Sequence, residues 1–141
     1  MKAYDVMSVE IVAAKDNVSS IEVATRLVLG AFNGLPIIND NGAVLGIVTA
    51  IDILRAIRDD KNLENMPVRD LMTKEPAVVK QDTEIEDIID IMDKKGIDMV
   101  PVVAGGGGGE EKTDSRLIGV VSRLDILTEK MNERFVTIEK Q

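Results

Sequence analysis

The 141 residues predict a mixed α/β (α+β) fold made of one unit used twice, each copy running strand, helix, strand, strand, helix. Two observations predict it. The chain repeats itself in register, and within each copy a helical apolar stripe gives way to short β-branched runs bounded by turn residues.

A displacement of 65 places lays AYDVMSVEIVAAK (3–15) on VRDLMTKEPAVVK (68–80), so that Asp5 meets Asp70, Met7 meets Met72 and Ser8 meets Thr73. The same displacement brings LPII (35–38) onto VPVV (100–103), Pro36 onto Pro101. Beyond it the second copy holds eight extra residues, after which LGIVTAIDIL (45–54) matches IGVVSRLDIL (118–127). The insertion falls within AGGGGGEEKTDS (104–115), whose Gly run and trailing charges have the composition of a flexible surface loop. It lacks the Lys-Ser/Thr pair that a phosphate-cradling loop needs. The domains expected are repeat 1 over 1–62, repeat 2 over 63–134 with the Gly-rich loop 104–115, and a tail over 135–141, whose RFVTIEKQ (134–141) alternates like a strand.

The first helix of repeat 1 is expected to open on a capping box of Ser19 and Glu22, with Val23, Ala24, Leu27, Val28 and Ala31 on one face. In repeat 2, Thr83 with Glu86 opens the matching helix, and Ile85, Ile88, Ile89 and Met92 form its stripe. Each helix precedes a Pro-led apolar run, a turn and a second apolar run, read as two neighbouring strands. A closing amphipathic helix follows at Ile51 to Arg58 and at Leu124 to Met131. Each sheet is small, so each copy needs the other to bury its exposed face.

Composition narrows function. With 45% hydrophobic and 30% charged residues the chain is globular, and seven Met against one Tyr and two Phe imply an aliphatic core with thioethers as gap fillers. The absence of Cys and His removes disulfides, thiolate sites, the commonest zinc ligands and the commonest general base. No metal-ligating and no catalytic residues are expected. A carboxylate hydrolase is the weakest alternative, because Glu84, Glu86, Asp87 and Asp90 read as a solvated helix face. The net charge of −8 opposes general binding to nucleic acid. No stretch approaches ~20 apolar residues, and MKAYDVMSVEIV has no long apolar segment after its Lys; the reading is a cytoplasmic protein with no membrane partner.

The octets GIVTAIDI (46–53) and GVVSRLDI (119–126) share the pattern Gly-h-h-Ser/Thr-x-x-Asp-h, with h apolar. Each octet is preceded at matching distance by an apolar-Pro-apolar-apolar strand, a helix and an Asp-h-Met-Ser/Thr opening. On these motifs nearly the whole chain resembles a tandem pair of CBS domains, named for cystathionine beta-synthase. Resemblance implies a Bateman module with pseudo-two-fold symmetry through its small sheets, two clefts between the repeats, and an adenosine-containing ligand of the AMP, ADP, ATP or S-adenosylmethionine class. It implies no cofactor beyond such a ligand. An Asp at a helix start accepts hydrogen bonds from vicinal ribose hydroxyls, and the Ser/Thr three residues earlier meets ribose or phosphate oxygens. Read alone, either Asp would satisfy free backbone N–H groups at the helix terminus.

Carried over residue by residue, one cleft joins Ile47, Thr49 and Asp52 to Thr73, Val78, Ile97 and Asp98. The other joins Val120, Ser122, Arg123 and Asp125 to Ser8, Ala13, Phe32 and Asn33. Where nucleotide-binding members often place Arg or His, three residues before the Pro, this chain has Asn33 and Asp98. Lys15, Lys80 and Arg123 are the candidate replacements for that cation. Arg123 beside Asp125, and an unpaired Asp98 opposite Asp52, favour AMP at the Asp125 cleft. The function expected is a non-catalytic regulatory module acting on an unknown protein, as a homodimer paired through the apolar helices. The alternative is a structural or oligomerisation module with empty clefts.

Overall fold

The computed structural model describes residues 1–105 and 114–135. Its elements are α1 (Ala3–Val6), β1 (Ala14–Lys15), α2 (Ser20–Gly30), β2 (Gly34–Ile38), β3 (Val44–Thr49), α3 (Ala50–Arg58), β4 (Thr73–Lys74), β5 (Val79–Lys80), α4 (Ile85–Lys95), β6 (Met99–Val103), β7 (Leu117–Ser122) and α5 (Arg123–Arg134). A 3₁₀ turn at Val68–Asp70 precedes β4. The strand, helix, strand, strand, helix order holds in both copies, and the fold is mixed α/β, with two small sheets and five α-helices among the described residues.

The chain forms two compact units. One gathers Val12–Pro76 with Leu117, and is called the Asp52 unit. The other gathers Met1–Ile11, Ala77–Gly105 and the stretch from Ile118, and is called the Asp125 unit. The sheet of the first runs β1-β2-β3-β4, with β1 parallel to β2 and the later pairs antiparallel. That of the second runs β5-β6-β7, with Ser8 bridged antiparallel to Val120 where the first sheet has β4. The opening segments are thus exchanged: residues that begin repeat 1 pack with the octet of repeat 2, and those that begin repeat 2 pack with the octet of repeat 1.

Burial and hydrogen bonding hold the exchanged segments. Val68 is fully buried in the cluster of Val23, Leu27, Leu35, Ile37, Val48 and Ile53, while Ala3 and Val6 join Ile85, Ile88, Met92, Val100, Val102, Val121 and Ile126. Burying a Val contributes about 1.5–3 kcal/mol. The Val68 N–H donates to the Val18 carbonyl (2.7 Å) and the Ser20 N–H to that of Met66 (2.8 Å). In the other unit the Ala3 and Tyr4 N–H groups donate to Thr83 and Gln81, both at 2.9 Å, and Lys2 pairs with Glu84.

The two octet glycines explain why these crossings need Gly. A Cβ on Gly46 would lie 2.6 Å from Met72 Sδ and 2.7 Å from the Thr73 carbonyl oxygen; on Gly119 it would lie 2.7 Å from Met7 Sδ and 3.1 Å from the Ser8 oxygen. The repeated Met-Ser/Thr and the repeated Gly are therefore the two sides of one contact.

Several sequence expectations change. Ser19 Oγ does accept from the Glu22 N–H (3.3 Å), and Val23 and Leu27 are buried, but Val28 is 78% exposed. Ala31 is not on the stripe: it ends α2 in the left-handed conformation at φ 52°, where the matching α4 uses Gly96 at φ 63°. Periodicity continued through a helix end because Ala is apolar, whereas the backbone there had already turned. Thr83 does not cap α4, since Glu84 takes that place and the Thr83 hydroxyl instead accepts from the Lys80 N–H at 3.0 Å. Ile89 is 40% exposed rather than buried. The central part of the Gly-rich loop and the tail beyond Phe135 lie outside the described residues.

Candidate functional site

Each octet builds a strand-to-helix junction. In the Asp52 unit, β3 runs into α3 at Thr49, an extended residue whose N–H (2.8 Å) and hydroxyl (3.1 Å) both donate to Asp52 Oδ2. The other carboxylate oxygen faces Arg55 Nη1 at 3.4 Å, and the Asp52 side chain keeps only 10% of its surface exposed. Its negative charge also favours the positive end of α3. Ile47 lies opposite Thr73, and Gly34 opposite Thr49, so Asn33 arrives beside the same junction along the chain. Phe32 follows the left-handed Ala31, and its ring lies so close to Gly30 that a Cβ there would be 2.0 Å away. The Ala13 carbonyl accepts from Arg26 Nη1 at 3.1 Å.

The Asp125 unit repeats the plan with different polarity. The Ser122 N–H donates to Asp125 Oδ2 (2.9 Å) while Ser122 Oγ accepts from the Asp125 N–H (3.2 Å), a reciprocal cap of α5. Ser8 and Val120 exchange backbone hydrogen bonds at 2.9 and 3.0 Å. The Arg123 N–H donates to the Asp98 carbonyl at 3.0 Å, its Nε to the Ile97 carbonyl at 3.1 Å, and its Nη1 stands 3.1 Å from Asp98 Oδ1. Val78, just before β5, is 38% exposed.

Ile47, Thr49, Asp52 and Thr73 are brought together in one unit, and Ser8, Val120, Ser122, Arg123 and Asp125 in the other. Val78, Ile97 and Asp98 belong to the Asp125 unit, and Ala13, Phe32 and Asn33 to the Asp52 unit. One expectation is corrected. Asp98 is not an unpaired carboxylate, and Arg123 is not a cation awaiting a phosphate, because the two are partners. Lys15 is likewise engaged, 2.9 Å from Asp40. The stem of Lys80 lies along Gly105. Arg55 was overlooked, although Asp-x-x-Arg on a helix is a spacing that brings two side chains onto one face.

The helices also carry exposed apolar residues. On α3 these are Ile51, Leu54 and Ile57, each more than half exposed, and on α5 they are Leu124 and Leu127. Between α4 and α5 runs an open groove of about 480 Å³ lined by Ile89, Met92, Ile126 and Leu127, with Asp93, Arg123 and Lys130 on its rim. Among the described residues no helix is long and apolar enough to cross a membrane, and no three Asp or Glu side chains group to hold a metal ion.

Comparison with known proteins places this architecture. The chain is similar to an uncharacterised 17.7 kDa protein of Acidianus ambivalens, 29% identical over 89% of this chain and 70% of that one. It is 29% identical to the L-aspartate semialdehyde sulfurtransferase of Methanocaldococcus jannaschii over 86% of this chain but only 22% of the enzyme. Among solved structures, it is similar to the CBS domain pair of protein MJ0100 in complex with 5′-methylthioadenosine and S-adenosyl-L-methionine. That match has a TM-score of 0.80 at 26% identity and covers 95% of this chain and 98% of that one. CBSX2 in complex with AMP gives 0.77 at 25%, covering 94% and 98%. The CBS domain model matches twice, over residues 3–59 and 68–132. With the octet, the Pro-led strand and the opening segment all present in duplicate, the chain belongs to the CBS domain family and carries the domain as a pair.

Proposed function

We propose that this CBS pair is a non-catalytic regulatory module that binds an adenosine-containing ligand, with Asp52 and Asp125 as ribose acceptors. The observation that carries the reading is the duplicated junction, in which an Asp carboxylate is held at a helix start by the preceding Thr or Ser N–H, 2.8 Å at Asp52 and 2.9 Å at Asp125. Holding one oxygen fixes the direction of the other, the preorganisation that lowers the ordering cost of binding. Domain pairs of the same fold, at 25–26% identity, bind AMP or 5′-methylthioadenosine and S-adenosylmethionine, which supports the ligand class. Thr49, Thr73, Ser8 and Ser122 are assigned to ribose and phosphate oxygens. Ile47, Val78, Ile97, Ala13, Phe32 and Val120 are assigned to the adenine faces, where flat apolar contact is needed.

The chain acts as a homodimer on a cytoplasmic partner, in this reading, because Ile51, Leu54, Ile57, Leu124 and Leu127 leave apolar surface of the kind that marks contact sites. A ligand regulates only if it binds two conformations of the module unequally. Calorimetric titration of unfolded and refolded protein with AMP, ATP and S-adenosylmethionine tests the proposal. Saturable binding of at least one ligand is expected. A flat titration for all three at millimolar ligand, with a dimer seen by light scattering, leaves the oligomerisation module as the function.

A further inference from the structure

Two of the seven Met occupy matching places in the repeat, and each lies against the glycine of an octet. A Cβ on Gly46 would stand 2.6 Å from Met72 Sδ, and one on Gly119 would stand 2.7 Å from Met7 Sδ, so each thioether fills the space that the missing side chain leaves. Both Met pack against their core clusters and stay partly open to solution, whereas Met92 is only 4% exposed. A backbone carbonyl forms the other wall of each contact: the Thr73 oxygen is 2.7 Å from the Gly46 position and the Ser8 oxygen 3.1 Å from that of Gly119. The strand that carries each glycine then runs on to an octet junction, from Gly46 to the Thr49 that holds Asp52 and from Gly119 to the Ser122 that holds Asp125.

We propose that Met72 and Met7 are oxidation sites at which a hydroperoxide loosens the two octet junctions, Met72 with the larger effect. In the reaction the sulfur attacks the O–O bond. One oxygen bonds to sulfur, which is oxidised to the sulfoxide, and the other, reduced, leaves as water, or as the alcohol of an organic hydroperoxide. An oxygen added on the glycine side meets the Thr73 or Ser8 carbonyl, and both are acceptors with no proton to share. An oxygen added on the open side gains water and draws the sulfur off the glycine. Either epimer exchanges an apolar contact for a polar one. Met72 matters more because its contact is closer on both walls and because β4, which it precedes, is only two residues long. The effect is on the junction itself and arises with or without an adenosyl ligand.

The test exposes the full chain to graded hydrogen peroxide and reads the same samples by peptide mass mapping, backbone amide shifts and thermal melting. Met72 and Met7 should gain oxygen before Met92. The Gly46 and Thr49 amides should shift in proportion to oxygen at Met72, and those of Gly119 and Ser122 in proportion to oxygen at Met7. Leu is close to Met in volume and has no sulfur to oxidise, so Met72→Leu should keep the native spectrum and abolish the peroxide shifts at Gly46 and Thr49. Met7→Leu should do the same at Gly119 and Ser122. Peroxide should lower the melting temperature by about 5 °C in Met7→Leu, where Met72 remains, and by about 2 °C in Met72→Leu. Treatment with both methionine sulfoxide reductases, one for each epimer, should restore the amide positions. Oxygen at Met72 without change at Gly46 and Thr49, or shifts there that persist in Met72→Leu, overturns the proposal, and so does a Met72 that takes up oxygen no sooner than Met92. If Met72→Leu does not fold, the fraction of Met72 oxidised is compared with the fraction of shifted Gly46 signal in wild type: a match supports the assignment and a mismatch overturns it.

Discussion

The Asp52 and Asp125 units share one plan and differ in how they complete it. In the first, a four-stranded sheet ends in β4, the crossing segment lies tight against Gly46, α2 ends on a left-handed Ala31, and the octet Asp faces Arg55. In the second, a single bridge at Ser8 replaces the fourth strand, the crossing clears Gly119 by a few tenths of an ångström more, the helix ends on Gly96, and the octet's Arg is turned onto Asp98. Duplication conserved the backbone contacts that make the junction. The charges around it have diverged, so a shared fold predicts shared geometry and not shared ligand preference.

Substitution of the octet glycines should separate the units most. At Gly46 the obstructing Thr73 oxygen is backbone at 2.7 Å and cannot move aside, whereas at Gly119 the near atom is the flexible Met7 thioether. Gly46→Ala is expected to cost about 3 kcal/mol and Gly119→Ala about 1 kcal/mol in urea denaturation, the range of overpacked sites. Equal losses would show that the two crossings are equally tight. Next in size is loss of the octet carboxylates. Asp52→Ala strips the acceptor from both the Thr49 N–H and hydroxyl and should cost about 2 kcal/mol by thermal melting.

The helix ends give an effect of opposite sign. Ala31 carries a Cβ in the left-handed region, so Ala31→Gly should stabilise by up to about 1 kcal/mol. Gly96→Ala should destabilise by about 1 kcal/mol, and purely through the backbone, because an added Cβ would meet nothing within 4 Å. A destabilised Ala31→Gly would mean that the Ala31 methyl packs usefully despite its exposure.

The smallest difference is one of pH. Glu86 is held below the usual carboxylate value by its own backbone N–H near the start of α4 and by Lys130, whereas repeat 1 has Ile21 in the matching place. A depressed carboxylate stabilises the fold above its ordinary value of 4.5, and that contribution is lost as pH falls through the lower folded-state value. Acid should therefore loosen α4 slightly before α2 in hydrogen exchange below pH 4.5, and Glu86→Gln should abolish the lead.

The repeated octets, both Pro-led strands and the order of elements were legible because a displaced copy preserves residue type wherever backbone geometry demands it. The exchange of opening segments came only through the family resemblance, which joined Thr73 to the first octet and Ser8 to the second, since self-similarity reports which residues correspond and not which ones touch: Met7 matches Met72 but lies against Gly119. Ala31 was misplaced because a left-handed turn leaves no mark when the residue that makes it is not Gly. The Asp98–Arg123 pair was hidden by a separation of 25 residues (123 − 98) with no periodicity to join them, and by a family resemblance that put the two in different clefts. Asp52 and Asp125 were legible as residues at helix starts, and the structure adds that each is first of all a cap.

The exchange also carries a cost in time during synthesis. The Ser8 backbone hydrogen bonds go to Val120, 112 residues later (120 − 8), so the contact of the first segment with the second octet has to wait for that residue to leave the ribosome. At 5–20 residues per second that wait is roughly ten seconds; Ala3 and Val6 find Ile85, Ile88 and Met92 earlier, but Met7 lacks the Gly119 it packs against until the end of the wait. The Asp52 unit needs only the segment to Pro76 for its core and for the contact at Gly46, and it can close while the second octet is still being made. The order of assembly is therefore written into the connectivity, with the opening segment Met1–Ile11 among the last to complete its contacts.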